Sequence, residues 1–265
     1  MFRKIGFIGT GNMGAAIASA VAGEGRELLL ANRTPAKAQA LAEQLGARVV
    51  KNPEAAGESD LLFLGVKPQM MGDMLDDIAP ILRTRTDRFV LVTMAAGLTC
   101  DTIRDMAGGD YPVIRIMPNT PCAIGEGMTL YTCGEAVSAD AEKRFLADMA
   151  GAGRFSALAE HLMDAGTCVS GCGPAFVDLF IEALADGAVA CGLPRDKAMA
   201  YAAQMLAGSA ELALNSGKHP GALKDAVCSP GGTTIQGVRA LEEGGFRAAA
   251  MNAVIAAYEK TLSLK

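Results

Sequence analysis

Short unbroken apolar runs alternate with longer amphipathic stretches through the first part of this chain. The apolar runs fall at residues 4–8, 27–31, 48–50, 61–64, 89–93 and 113–117, and Ala-rich stretches with helical spacing, such as 14–23 and 35–45, separate several of them. Strands that are apolar throughout belong to a sheet buried on both faces, and helices between successive strands are the crossovers of a parallel sheet. After about residue 165 the strand-like runs stop. Residues 174–190, 194–215, 234–243 and 246–262 carry apolar positions three and four apart, and the breaks fall at Gly192-Leu193-Pro194, at 217–220 and at Gly244-Gly245. This pattern predicts two architectures: an α/β dinucleotide-binding type of domain over residues 1–160 and an all-helical domain over 161–265. So many Ala and Leu faces on about 100 residues favour pairing with a second copy. The pattern shows no internal repeat.

Composition narrows the possible partners. The chain has 24 Lys plus Arg against 29 Asp plus Glu, a net charge of −5, and no basic run, which argues against nucleic acid. With 51% hydrophobic and 20% charged residues it has ample material for a core. No uninterrupted apolar run nears the roughly 20 residues of a membrane span, so no membrane partner is expected. The N-terminal apolar run ends at Gly9, short of a secretory core, so the expected location is cytoplasmic. The seven cysteines are scattered without a Cys-x-x-Cys pair, and the two histidines do not complete a zinc spacing, so they are expected to be reduced core thiols with no metal.

The sharpest local signal is Gly9-Thr10-Gly11-Asn12-Met13-Gly14, a GxGxxG between the first strand and the first helix. In a dinucleotide site Gly9 makes the turn, Gly11 admits a pyrophosphate to the backbone, and Gly14 lets helix and strand pack closely. The other reading is a plain tight turn. At the end of the second strand stands Asn32-Arg33-Thr34, with no acid to grip a ribose diol. Arg33 is either a fork for a 2′-phosphate, with Asn32 and Thr34 as neutral partners, or a solvated loop charge beside a capping Thr34. On the first alternative NADPH is preferred and NADH is the lesser cofactor. Val66-Lys67-Pro68 follows the fourth strand, where Lys67 either meets anionic charge or is solvated. Ala95 and Ala96 leave room for a nicotinamide ring, and Asn119 and Thr120 offer hydrogen bonds to its amide. In the helical half, Ser229-Pro230-Gly231-Gly232-Thr233-Thr234 leads into a helix, and its free amides suit a carboxylate. Its threonines are otherwise read as helix caps. Asp178, Glu182 and Asp186 form a four-spaced solvated stripe without an assigned role.

These motifs together resemble one family, the pyrroline-5-carboxylate reductases. The resemblance runs from Gly6-Phe7-Ile8-Gly9-Thr10-Gly11-Asn12-Met13 through Val66-Lys67-Pro68, Met117-Pro118-Asn119-Thr120-Pro121 and Ser170-Gly171-Cys172-Gly173-Pro174 to His219-Pro220-Gly221-Ala222-Leu223-Lys224-Asp225 and the Ser229 to Thr234 loop. Cys172 and Thr233 depart from it, standing where such chains more often have Ser and Ala. The resemblance implies reduction of 1-pyrroline-5-carboxylate to L-proline with NAD(P)H. It places Asn52 at the adenosine, Lys67 by the cofactor, Val227 with Gly231 to Thr234 around the substrate, and the Thr234 hydroxyl by the ring nitrogen. It further implies helices interleaved between two subunits, with dimers assembling into a five-dimer ring. Two rivals are a β-hydroxyacid dehydrogenase or imine reductase, disfavoured because 174–190 lacks a lysine, and an NADPH-binding regulator without turnover.

Overall fold

The computed structural model describes residues 2–23 and 25–263. These divide into two compact units, one running to Cys172 and including the chain's end from Tyr258, the other Gly173–Ala257.

In the first unit, β1 (Lys4–Ile8), β2 (Glu27–Ala31), β3 (Arg48–Val49), β4 (Leu61–Leu64), β5 (Val90–Thr93), β6 (Val113–Met117), β7 (Gly127–Cys133) and β8 (Gly153–Ala157) form one sheet among the described residues. Its order is β3-β2-β1-β4-β5-β6-β7-β8. The first six strands are parallel, β7 runs antiparallel to β6, and β8 is parallel to β7. The order of those six is that of a Rossmann fold, in which the chain reverses its direction of travel beside β1 and opens a crevice past the strand ends.

Alternate side chains of each strand feed two cores. Ile5 and Phe7 of β1 and Leu61 and Phe63 of β4 pack with Ile17 and Val21 of α1 (Asn12–Val21) and with Phe145 of α6 (Ala139–Asp148). Phe7 and Phe63 stack with centroids 4.6 Å apart. Ile8, Leu62, Leu64 and Leu91 face the other way, against α3 (Asn52–Glu58), α4 (Met71–Thr84) and α5 (Cys100–Ala107). The helix α2 (Pro35–Leu45) matches its sequence expectation, with Pro35 starting it and Gly46 ending it at φ 65°. Helix α1 starts two residues before the predicted 14, because the extended Gly11 is its N-cap and the glycine motif overlaps the first turn.

The strands β7 and β8 were not among the expected six. Search for unbroken apolar runs passes over both: β7 carries Thr129 and Thr132, and β8 is a mostly exposed or half-buried edge with Arg154 and Ser156. They extend the sheet beyond β6 and support α7 (Met163–Ser170), which is fastened to the sheet by polar groups. The buried guanidinium of Arg115 on β6 donates to Asp164 at 2.9 Å and lies 3.6 Å from Glu160, which also accepts from the Cys100 amide at 2.8 Å. At the other end of α7, Asn119 Nδ2 donates to the Ser170 carbonyl at 3.0 Å.

The second unit contains α8 (Gly173–Ala190), α9 (Arg195–Ser216), α10 (Pro220–Val227) and α11 (Thr233–Glu243), with α12 (Phe246–Leu262) extending past it. Among its described residues only Ala185, Ala198 and Ala202 are buried, while Leu179, Met205, Leu212, Leu214 and Met251 are exposed. The expectation of no membrane partner rests on uninterrupted apolar runs, and a windowed average picks out one helical stretch beside it. Residues Glu160–Ala190, which hold an 18-residue window of mean hydropathy 1.5, are the one helical stretch among the described residues long and apolar enough to cross a membrane by length and composition. Asp178, Glu182 and Asp186 break the second half of that stretch into short apolar runs, so that no uninterrupted run nears the length of a span.

Candidate functional site

The carboxyl ends of β1, β2 and β4 open onto a cavity of about 1570 Å³, lined among others by Gly9, Gly11, Asn32, Arg33, Asn52, Val66 and Lys67. Its floor is the turn from β1 to α1, and the three glycines there do three different things. Gly9 has φ +101°, and a Cβ on it would stand 2.5 Å from the Gly65 carbonyl oxygen. A Cβ on Gly14 would stand 2.3 Å from the Gly9 carbonyl oxygen, so helix and turn could not close together. A Cβ on Gly11, by contrast, would meet nothing within 4 Å. Open space lies above Gly11 alone, and no side chain caps the α1 N-terminus carrying Asn12 and Met13. That is the shape and polarity a pyrophosphate needs. The Thr10 hydroxyl beside them is buried without a partner.

Asn32 is tied into the fold at both ends of its amide. Its Oδ1 accepts from the Thr10 amide at 3.1 Å, and its Nδ2 donates to the Thr34 carbonyl at 3.0 Å. The phosphate turn and the β2–α2 turn are thereby joined through one side chain. Arg33 is exposed on the cavity lining with no ion-pair partner among the described residues, and Thr34 holds the N-cap position of α2 without a side-chain cap bond. Across the cavity, Asn52 Nδ2 donates to Asp77 at 3.1 Å. Exposed Lys67 is the residue before Pro68, which starts the short 3-10 turn into α4.

Two lysines that the sequence reading passed over line the same cavity: Lys37 on α2 and Lys51 at the N-cap of α3. No local motif marks them. Only the pairing of β2 with β3 brings the turn holding Lys51 beside the turn holding Arg33. The acids near them are largely engaged. Arg48 bonds Glu54 at 2.7 Å and also Glu27 and Glu58, and Lys4 reaches Glu58 at 2.8 Å. Hydrogen bonds from Arg48 hold the Glu27 carboxyl below its ordinary range, and bonds from Lys4 and then Arg48 do the same for Glu58.

The positions expected at the nicotinamide differ among themselves. Ala95 is buried, its amide donating to Thr93 Oγ1, whereas Ala96 is exposed at the tip of the turn. Asn119 is already engaged in the fold: beyond its bond to Ser170, its Oδ1 accepts from the Met128 amide at 3.0 Å. Both ends of the Asn119 amide hold the loop to β7 and α7, so a bond from it to a nicotinamide amide would fall to its second Nδ2 hydrogen. Exposed Thr120 opens the 3-10 turn that follows.

In the helical unit the Ser229 to Thr234 loop starts with a Pro-Gly turn. The Gly232 amide donates to the Ser229 carbonyl at 3.0 Å, and Gly231 takes φ +68°, the conformation that turn requires. A Cβ on Gly232 would lie 2.4 Å from Ser229 Oγ. The N-cap of α11 is Gly232, with no side-chain cap, so Thr233 and Thr234 are not caps. Both threonines lie exposed in the first turn of α11, and Val227, also exposed, ends the α10 helix that precedes the loop. That helix is itself capped by His219, whose Nδ1 accepts from the Gly221 amide at 3.0 Å.

Comparison with known proteins places both halves of the chain. A family model described as "Pyrroline-5-carboxylate reductase dimerisation" matches residues 160–264, and one described as "NADP oxidoreductase coenzyme F420-dependent" matches residues 4–97. The chain is 41% identical over 269 residues to the pyrroline-5-carboxylate reductase of Escherichia coli, covering 100% of this chain and 99% of that one. It is 40% identical over 266 residues to the enzyme of Pisum sativum, covering 98% and 95%. Among solved structures, pyrroline carboxylate reductase from Plasmodium falciparum with NADP bound superposes with a TM-score of 0.84 at 33% identity, covering 98% of this chain and 97% of that one.

Proposed function

The chain belongs to the pyrroline-5-carboxylate reductase family, and from that premise we propose that it reduces 1-pyrroline-5-carboxylate to L-proline with NADPH, the last step of proline biosynthesis. The observation that carries the cofactor assignment is the cavity at the ends of β1, β2 and β4, open above Gly11 and bordered after β2 by Arg33 where an NAD site would hold an acid. When bound, NADPH supplies the hydride. The Gly11, Asn12 and Met13 amides hold the pyrophosphate at the positive end of α1, and Arg33 binds the 2′-phosphate. Asn52 and Val66, Lys67 and Pro68 border the adenosine and its phosphates, and the Ala95-Ala96 turn with the Thr120 backbone borders the nicotinamide.

The substrate is a cyclic imine that is electrophilic once protonated. Neither a metal nor a Schiff-base lysine is then needed, and the protein's work is to orient two partners and keep water out. The Gly231, Gly232 and Thr233 amides, backed by α11, receive the substrate carboxylate, with Val227 and Ser229 beside it. The Thr234 hydroxyl accepts a hydrogen bond from the iminium N–H and so fixes which ring carbon faces the cofactor. Hydride addition to the imine carbon moves the C=N π pair onto nitrogen, leaving a neutral amine that takes a proton from solvent, relayed through the same hydroxyl.

The exposed Leu and Met residues of the helical unit, together with the dimerisation model that matches it, support self-association as part of the function. We read the dimer as the minimal active unit, in which the Thr234 loop of one subunit serves the cofactor of the other, and five dimers as the complete ring. We place the enzyme in the cytoplasm. The assignment is tested by incubating the protein with NADPH and pyrroline-5-carboxylate and measuring proline by amino-acid analysis. Proline should accumulate in step with cofactor oxidation, and oxidation without proline would overturn it.

A further inference from the structure

We propose that Lys51 is a specificity-determining residue, a second arm that grips the 2′-phosphate of NADPH from the turn neighbouring that of Arg33. The inference rests on the NADPH reading above. Lys51 is absent from any nucleotide motif and, by sequence, is an ordinary surface lysine before a helix. The sheet changes that. Because β3 lies beside β2, with Leu30 opposite Val49 and the Val50 amide bonded to the Leu30 carbonyl at 3.0 Å, the chain leaves both strands at one edge of the same cavity. Arg33, Lys37 and Lys51 all line it, and none of the three has an ion-pair partner among the described residues.

In a chain of net charge −5, four cations lining one cavity, these three and Lys67, all without an ion-pair partner among the described residues, need an explanation. The surrounding acids supply part of it. Glu54, three residues after Lys51, also lines the cavity, yet its carboxylate is bound by Arg48 at 2.7 Å. Asp73 and Asp77 of α4, the latter accepting from neutral Asn52, are the acids of the lining that no cation pairs. Arg48 thus gathers Glu27, Glu54 and Glu58 and leaves the positive charge of Lys51 unneutralised. A phosphate dianion on the ribose 2′ position is the one group of the cofactor that distinguishes NADPH from NADH, and a cation from each of two turns would hold it from more than one direction.

Calorimetry on the full chain with 2′,5′-ADP and 5′-ADP as probes tests this without turnover. Wild type should bind 2′,5′-ADP at least about tenfold tighter than 5′-ADP, and Lys51→Ala should weaken 2′,5′-ADP about fivefold while 5′-ADP changes less than about twofold. Lys51→Arg should keep the wild-type preference, and added salt should narrow the gap between wild type and Lys51→Ala. Should Lys51→Ala bind 2′,5′-ADP like wild type, or lose both probes equally, the role of Lys51 is overturned while NADPH preference stands. Wild type binding both probes equally would overturn the NADPH reading itself, and this inference with it.

Discussion

Thr234 and Asn32 show how differently two candidate residues are used. Thr234 sits exposed in the first turn of α11 and caps nothing, since Gly232 holds the N-cap, which is consistent with the substrate role proposed for its hydroxyl. Thr234→Val keeps the shape and removes the hydrogen bond. Turnover should fall by something on the order of tenfold to a thousandfold with NADPH affinity unchanged, read from kcat beside a cofactor titration. Unchanged turnover would leave packing as the only role of this side chain. Asn32 is instead a brace between two turns. From sequence, Asp at this position simply repels a 2′-phosphate and moves preference toward NADH. The structure adds a cost, because a carboxylate oxygen would replace Nδ2 against the Thr34 carbonyl 3.0 Å away. Asn32→Asp should therefore weaken NADPH binding about tenfold or more without improving NADH above the wild-type level. Fluorescence titration of both cofactors checks this, and tighter NADH binding would contradict the brace.

At the scale of elements, the strands whose two faces are both buried announce themselves. Lys4–Ile8, Leu61–Leu64 and Val113–Met117 have the same bounds in the pattern and in the fold, and so do Glu27–Ala31 and the helices Pro35–Leu45 and Phe246–Leu262. The strands β7 and β8 escaped because they lie past the parallel core, where threonines and an exposed edge replace apolar runs. The glycine motif, the acid-free Arg33 turn and the Ser229 to Thr234 loop were legible because each is local. Lys51 and the engaged amide of Asn119 were not, since both depend on strands and helices distant in sequence coming together. The Arg115–Asp164 pair was illegible for the same reason, 49 residues separating its ends. Its removal from one side should be expensive: Arg115→Met leaves Asp164 buried without its guanidinium and should cost about 3 kcal/mol or more, measured by urea unfolding. A loss within about 0.5 kcal/mol would show that α7 is held by other contacts.

For the molecule as a whole, the two units differ in how they hide apolar surface. The sheet unit buries Phe7, Phe63, Phe145 and both sets of strand side chains, whereas the helical unit buries three alanines and exposes residues as large as Leu179 and Met251. A second copy of the dimerisation unit is the expected cover for that surface. Met205, exposed on α9, probes this better than its half-buried neighbour Leu206, where a charge would also disturb packing within the subunit. Met205→Arg should lower the molecular mass in light scattering and turnover together, while NADPH binding to the sheet unit persists. A folded monomer with full turnover would refute the dimer as active unit. The central claim, an NADPH-dependent reductase of a cyclic imine, is tested most directly by steady-state kinetics with pyrroline-5-carboxylate and either cofactor in parallel. The kcat/KM should be higher for NADPH than for NADH, whereas oxidation of neither cofactor, or a preference for NADH, would contradict an NADPH-dependent reductase.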